Sequence, residues 1–255
     1  MLKILLVFLA SATLTATPDT TSNGDISELL QEAEERFEQK DEQAALDIYL
    51  EILDREPEHF EALWNASLNY SRIGFRFDDE DRQKAYFENA IELAEKSVEL
   101  YPDEGKSHYV KAVAVGRMAD VVGTRERISS AHDIRDSAEK AIELDPDYAP
   151  AWHLYGVWHS EVSNVGRVER TAARFISEGI PDGASNETAE EYMSKAIELN
   201  PDHVLFRLDL ARHYLRSGQD EKAIPVLEKI LEMEPDLKDD PEHLEEAEKL
   251  LADLQ

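Results

Sequence analysis

The chain has 255 residues, no cysteine, and 56 acidic against 27 basic residues, for a formal charge of −29. A hydrophobic share of 42% supports the core of one large or two ordinary domains, and the missing cysteine excludes disulfides, thiol catalysis, iron–sulfur clusters and cysteine-based zinc sites. The acidic excess counts against binding nucleic acid or an anionic membrane through a bulk electrostatic field, and its spread along folded-looking segments counts against bulk disorder.

The chain opens Met1-Leu2-Lys3, then the apolar run Ile4–Ala10, then small residues and threonines to Thr17-Pro18. That order is the layout of a secretory signal over residues 1–16, with a cut near Ala12 or after Ala16. The apolar run falls short of the roughly 20 residues that span a bilayer. Export to a periplasm or to the medium is expected, with an uncleaved N-terminal anchor as the alternative. Residues 17–24 are polar and breaker-rich and are expected to be a linker.

From there one phrase recurs: Glu56-Pro57-Glu58-His59, Tyr101-Pro102-Asp103-Glu104, Asp145-Pro146-Asp147-Tyr148, Asn200-Pro201-Asp202-His203 and Glu234-Pro235-Asp236-Leu237. Each closes an apolar-periodic stretch, and proline forces a helix stop. The spacings of 45, 44, 55 and 34 residues fit the 34-residue tetratricopeptide (TPR) period, three of them lengthened by 11, 10 and 21. Small residues at Ala45, Ala90, Ala189 and Ala223 let paired helices approach, while Tyr70, Trp152 and Tyr214 fill the space between units. Trp152 and Gly156 reproduce the W-x-x-x-G spacing of the repeat.

The expected fold is all-α: a TPR-like right-handed solenoid of helical hairpins, with elongated helices in the middle repeats and a C-terminal capping helix. Its five units cover about 25–59, 60–104, 105–148, 149–203 and 204–237, and the cap covers 241–255. A long charged helix is predicted over Arg125–Leu144. In the cap, Leu244, Ala247, Leu250, Leu251 and Leu254 make the apolar stripe that seals the last repeat.

Units three and four carry further marks: Ser107–Arg117 before the long helix, His153–Val162 followed by Val168–Arg174, and the turn Gly179-Ile180-Pro181-Asp182-Gly183. This combination, over roughly Pro57–Leu231, resembles the regulator of microtubule dynamics family of TPR-like proteins. The resemblance implies an all-helical, protein-binding domain, and in some animal members phospholipid binding or microtubule association.

Catalytic motifs are missing: there is no G-x-S-x-G, phosphate loop, G-x-G-x-x-G or H-E-x-x-H. His153 and His159 are six apart and point to different helix faces, so the histidines read as packing and hydrogen-bonding groups, with no metal and no cofactor. The expected function is a non-catalytic, monomeric scaffold holding a protein or peptide in a concave groove lined by the first helix of each unit. On that surface the repeat frame places Trp64, Arg72, Lys106, Tyr109, Arg117, His153, Arg212 and Arg216. Aromatic residues beside cations match the composition of binding hot spots. The cations either attract an acidic ligand or neutralise neighbouring acids. A lipid or other apolar ligand between the long helices of units three and four is the second functional reading. The carboxylate clamp of some TPR proteins is incomplete: Asn65 and Lys106 match it, while Leu30, Glu34 and Val110 do not. A second basic row, Arg167, Arg170 and Arg174, is expected to pack on the acidic helices around it, with a lipid head group or an acidic partner as the other option.

Overall fold

Each proline phrase ends a helix in the same way. Glu56, Tyr101, Asp145 and Asn200 directly precede Pro57, Pro102, Pro146 and Pro201, and all four have φ between −129° and −138°. Proline's ring crowds the residue before it out of the helical region. All four still donate their N–H to the carbonyl four residues back, so each helix closes its last turn before the chain departs. The computed structural model that shows this describes residues 20–176 and 179–254. The expected export signal lies outside them.

Among the described residues the secondary structure is helical throughout: α1 (Thr20–Glu38), α2 (Glu42–Arg55), α3 (Phe60–Phe75), α4 (Glu80–Leu100), α5 (Gly105–Val121) and α6 (Thr124–Leu144) come first. They are followed by α7 (Ala149–Ser163), α8 (Arg167–Ile176), α9 (Asn186–Leu199), α10 (Val204–Arg216), α11 (Asp220–Ile230) and α12 (Asp240–Asp253). The expected linker over 17–24 is corrected in part: α1 is already helical from Thr20.

The hairpins are α1/α2, α3/α4, α5/α6, α7/α9 and α10/α11, with α8 inserted between the two arms of the fourth. Helices α3, α5, α7 and α10 touch in succession and form the concave layer, while the second arm of each hairpin also packs on the first helix of the next. Ala45, Ala90, Ala189 and Ala223 are fully buried at these crossings. Gly156 is the tightest approach in the fourth hairpin: a Cβ there would stand 2.7 Å from Met193 Cγ and 3.0 Å from its backbone nitrogen.

The core is a chain of small clusters, each shared between neighbouring hairpins, as a solenoid requires. At the C-terminal end Leu244, Leu250 and Leu251 of α12, with Leu254 just after it, pack with buried Ala247 on Tyr214, Leu227 and Ile230. Asp240 holds the α11–α12 loop in place by accepting the backbone N–H groups of Asp236 (2.9 Å) and Leu237 (2.7 Å).

Candidate functional site

The concave layer is rich in charge, and most of that charge is already paired. Arg76, at the C-terminal end of α3, donates to both carboxylate oxygens of Glu42 on α2 and, in parallel bonds of 2.6 and 2.7 Å, to Asp239 before α12. Glu42 has only 4% of its side chain exposed, and Arg72 is a second cation 3.9 Å from it. Burial works against the Arg76 charge, but the hydrogen bonds it donates to Asp239 and Glu42 raise its pKa above the usual arginine range. The fork therefore joins unit two to the loop before α12, 163 residues away in sequence. The concave face closes on itself there.

A second cluster occupies the α7–α10–α12 side. His153 Nε2 lies 2.8 Å from Asp209 Oδ2, and Arg212 donates to Asp209 (2.7 Å) and to Glu246 of α12 (2.8 Å). Burial alone would raise the Asp209 carboxyl; the hydrogen bonds and charges of His153 and Arg212 hold it down at about 2. The His153 ring also stacks on Phe206 at 4.5 Å, and His203 stacks on the same ring at 3.8 Å. Arg216 donates to Ser160 Oγ (2.9 Å) and pairs with Glu161 at 3.2 Å.

These contacts sort the eight groove residues expected from the sequence. Arg72, His153, Arg212 and Arg216 each face a carboxylate of the same chain. Lys106 and Arg117 do not: among the described residues neither has a hydrogen bond or ion pair, and both rest on aromatic rings. Lys106 Nζ stands 4.7 Å from the Trp64 ring centre and 6.0 Å from that of Tyr148, and Tyr109 meets Tyr148 edge-on at 5.1 Å. Arg117 lies 3.9 Å over half-exposed Phe75, and burial, only partly offset by Asp120, lowers its pKa from the ordinary arginine value. Burial likewise raises the hydroxyl pKa of Tyr109 and Tyr148, which keeps both neutral hydrogen-bonding groups. Trp64 Nε1 is buried without an acceptor among the described residues.

Sequence reasoning missed Arg76, Glu42, Asp239 and Phe75. The only local hint was the i, i+4 relation of Arg72 and Arg76 on one helix face. Two further histidines are buried: His213 has Nδ1 2.9 Å from Ser160 Oγ, and His159 Nδ1 accepts the Ser185 N–H at 3.4 Å. No group of three or more metal-ligating side chains occurs among the described residues.

The basic row on α8 differs from expectation. Arg170 donates to the Val162 carbonyl at 2.7 Å, but Arg167 and Arg174 are exposed and pair with no acidic helix among the described residues. Beside them Val168 and Phe175 are 83% and 87% exposed.

Comparison with known proteins places the whole array. The family profile described as regulator of microtubule dynamics protein 1-3 matches residues 29–255. Regulator of microtubule dynamics protein 3 of Xenopus laevis is 29% identical over 144 residues, 56% of this chain and 31% of that protein. Regulator of microtubule dynamics protein 1 of Bos taurus is 26% identical over 230 residues, 89% of this chain and 69% of that one. The chain thus spans about a third to about two-thirds of the length of these curated relatives. Among solved structures, a thermophilic TPR protein of Thermus thermophilus superposes with a TM-score of 0.66 at 19% identity, covering 88% of this chain and 99% of that one. That likeness concerns the fold.

Proposed function

The chain belongs to the regulator of microtubule dynamics protein 1-3 family, and from that membership and its concave face we propose a non-catalytic scaffold that grips an acidic segment of a protein partner. One observation carries the reading: among the described residues Lys106 and Arg117 are concave-face cations with no ion pair or hydrogen bond, in a layer where their neighbours are paired. An incoming carboxylate would meet them without breaking an existing ion pair. Both cations are partly desolvated against aromatic rings, so a charge-assisted bond there is stronger than one in open water. Trp64, Tyr109, Tyr148 and Phe75 add the aromatic surface typical of binding hot spots.

The relatives are named for regulating microtubule dynamics. An acidic segment displayed on a microtubule is the form of that role which suits these two cations. The reading retains the export expected of residues 1–16 and a monomeric state, checked by the mass of the protein recovered from its host and by light scattering.

Fluorescence anisotropy with a glutamate-rich peptide tests the site. Lys106→Glu with Arg117→Glu is expected to weaken binding by at least about tenfold, the loss of buried charge-assisted contacts. Arg216→Glu, at a cation already paired with Glu161, is expected to change it far less. Equal binding by wild type and the double variant would overturn the reading. Co-sedimentation with microtubules, using the same variants, asks whether the filament is the source of the segment.

A further inference from the structure

Helix α8 turns outward a face that no other described part of the chain covers. Val168 and Phe175 are seven residues apart, which sets them on one side of the helix two turns from each other, with exposed Ala172 between. On the opposite side Ala173 is buried and seats α8 beside α6, while Arg170 bonds the end of α7. Those two attachments fix the apolar stripe pointing away from the protein. Arg167 and Arg174, again seven apart, flank the stripe along one edge, exposed and without an ion pair among the described residues.

The charge of α8 is as unusual as its exposure. It carries Arg167, Arg170 and Arg174 against Glu169 alone. Every other described helix outside the concave layer, α1, α2, α4, α6, α9, α11 and α12, holds more acidic than basic residues. A cationic edge beside two protruding apolar side chains is the composition of a helix that lies in a lipid–water interface.

We propose that α8 docks this protein on an anionic bilayer surface, with Val168 and Phe175 entering the acyl boundary and Arg167 and Arg174 reaching the phosphate head groups. Other occupants fit less well. A stable protein interface needs about 800 Å² from each partner, and from this ten-residue ridge it would have to spread onto acidic surface. A fluid bilayer needs no complementary shape. A second copy packed antiparallel about a twofold axis would set one arginine edge directly against the other, a like-charge contact. The net charge of −29 does not prevent docking, because screening at physiological ionic strength confines electrostatic contact to about 8 Å. The charges on α8 itself therefore decide it.

Vesicle flotation of the full chain tests this. Binding is expected to vesicles of phosphatidylcholine with phosphatidylglycerol, to be at least about tenfold weaker on phosphatidylcholine alone, and to fall as salt rises. Val168→Asp with Phe175→Asp, and separately Arg167→Glu with Arg174→Glu, are each expected to abolish it. All four side chains are exposed, so circular dichroism of the variants should match wild type. Phe175→Trp is expected to show blue-shifted emission only with the anionic vesicles. Failure to float with anionic vesicles overturns the proposal, as does flotation unchanged in both double variants. Loss of a self-associated form in Val168→Asp with Phe175→Asp, without any vesicle binding by wild type, would assign the face to a second copy instead.

Discussion

His203 shows how a single side chain on the concave face ties stability to pH. Its ring lies flat on Phe206 at 3.8 Å, and its Nδ1 is buried without a partner among the described residues. Burial pushes its pKa from 6.5 down to about 4; His153, Arg72 and His243 push the same way, and Asp240 alone opposes them. Between those values the unfolded chain binds a proton that the folded chain refuses. The stabilisation is therefore complete above pH 6.5 and is lost as pH falls towards 4, to a total on the order of 3 kcal/mol. Burial lowers His159 and His213 too, so they add to the same trend. Asp209, held at about 2, acts only in the more acidic range below the ordinary carboxylate pKa. Urea unfolding at pH 7.5 and 4.5 should show the wild type weakened at the lower pH. His203→Asn, which also offers an N-cap side chain to α10, should shrink that difference. An identical pH slope in the two proteins would mean that His203 is not held neutral.

At the scale of elements, two glycines in helices of the concave layer call for opposite outcomes. A Cβ on Gly156 would press into Met193, including its backbone nitrogen, where α7 and α9 meet most closely. Gly156→Ala should therefore cost about 1–3 kcal/mol, the usual range for overpacking. A Cβ on Gly116 of α5 would find its nearest neighbour, Ile134 Cδ1, at an ordinary 3.8 Å. Gly116→Ala should instead stabilise by about 0.5–1 kcal/mol through the helix preference of alanine over glycine. Thermal melts of the pair check the sign, and a loss in both would refute the packing argument. Gly156 was readable in advance because it stands four residues after Trp152, in a repeat whose small positions mark close helix crossings. The proline phrases were equally plain, since a ring that blocks the preceding residue leaves its mark locally, and the long helix α6 starts within one residue of its predicted boundary. Helix α8 was less legible. Spacing put its arginines on one face, but whether that face met acids or solvent depended on where α6 and α7 seat it.

For the molecule as a whole, the repeat frame set which residues line the concave side but gave no measure of how far the array curls. Arg72 and Arg216 looked like a basic surface in the sequence because their partners, Glu42 and Glu161, come from other helices, as does Glu246, which Arg212 pairs with besides Asp209 of its own helix. Curvature brings those groups together, and it accumulates over many small packing choices, so no local pattern encodes it. The Arg76 fork is where the accumulated curvature is fixed. Its two carboxylates belong to α2 and to the loop before α12, so the bond holds only while every intervening unit keeps its angle. Replacing Arg76 by alanine leaves Glu42 buried with only the longer contact to Arg72. A cost of about 3–5 kcal/mol is expected for a buried charge stripped of its main partner. Arg76→Lys should recover part of this at most, because a single ammonium cannot form two parallel pairs at once. The distinguishing readout is spatial. In Arg76→Ala, amide exchange should quicken in the Asp236–Asp240 loop and α12, and small-angle scattering should show a larger radius. A loss of stability with neither change would mean that Glu42 needs the charge but that the ends of the solenoid are held together by α12 packing on α10 and α11 alone.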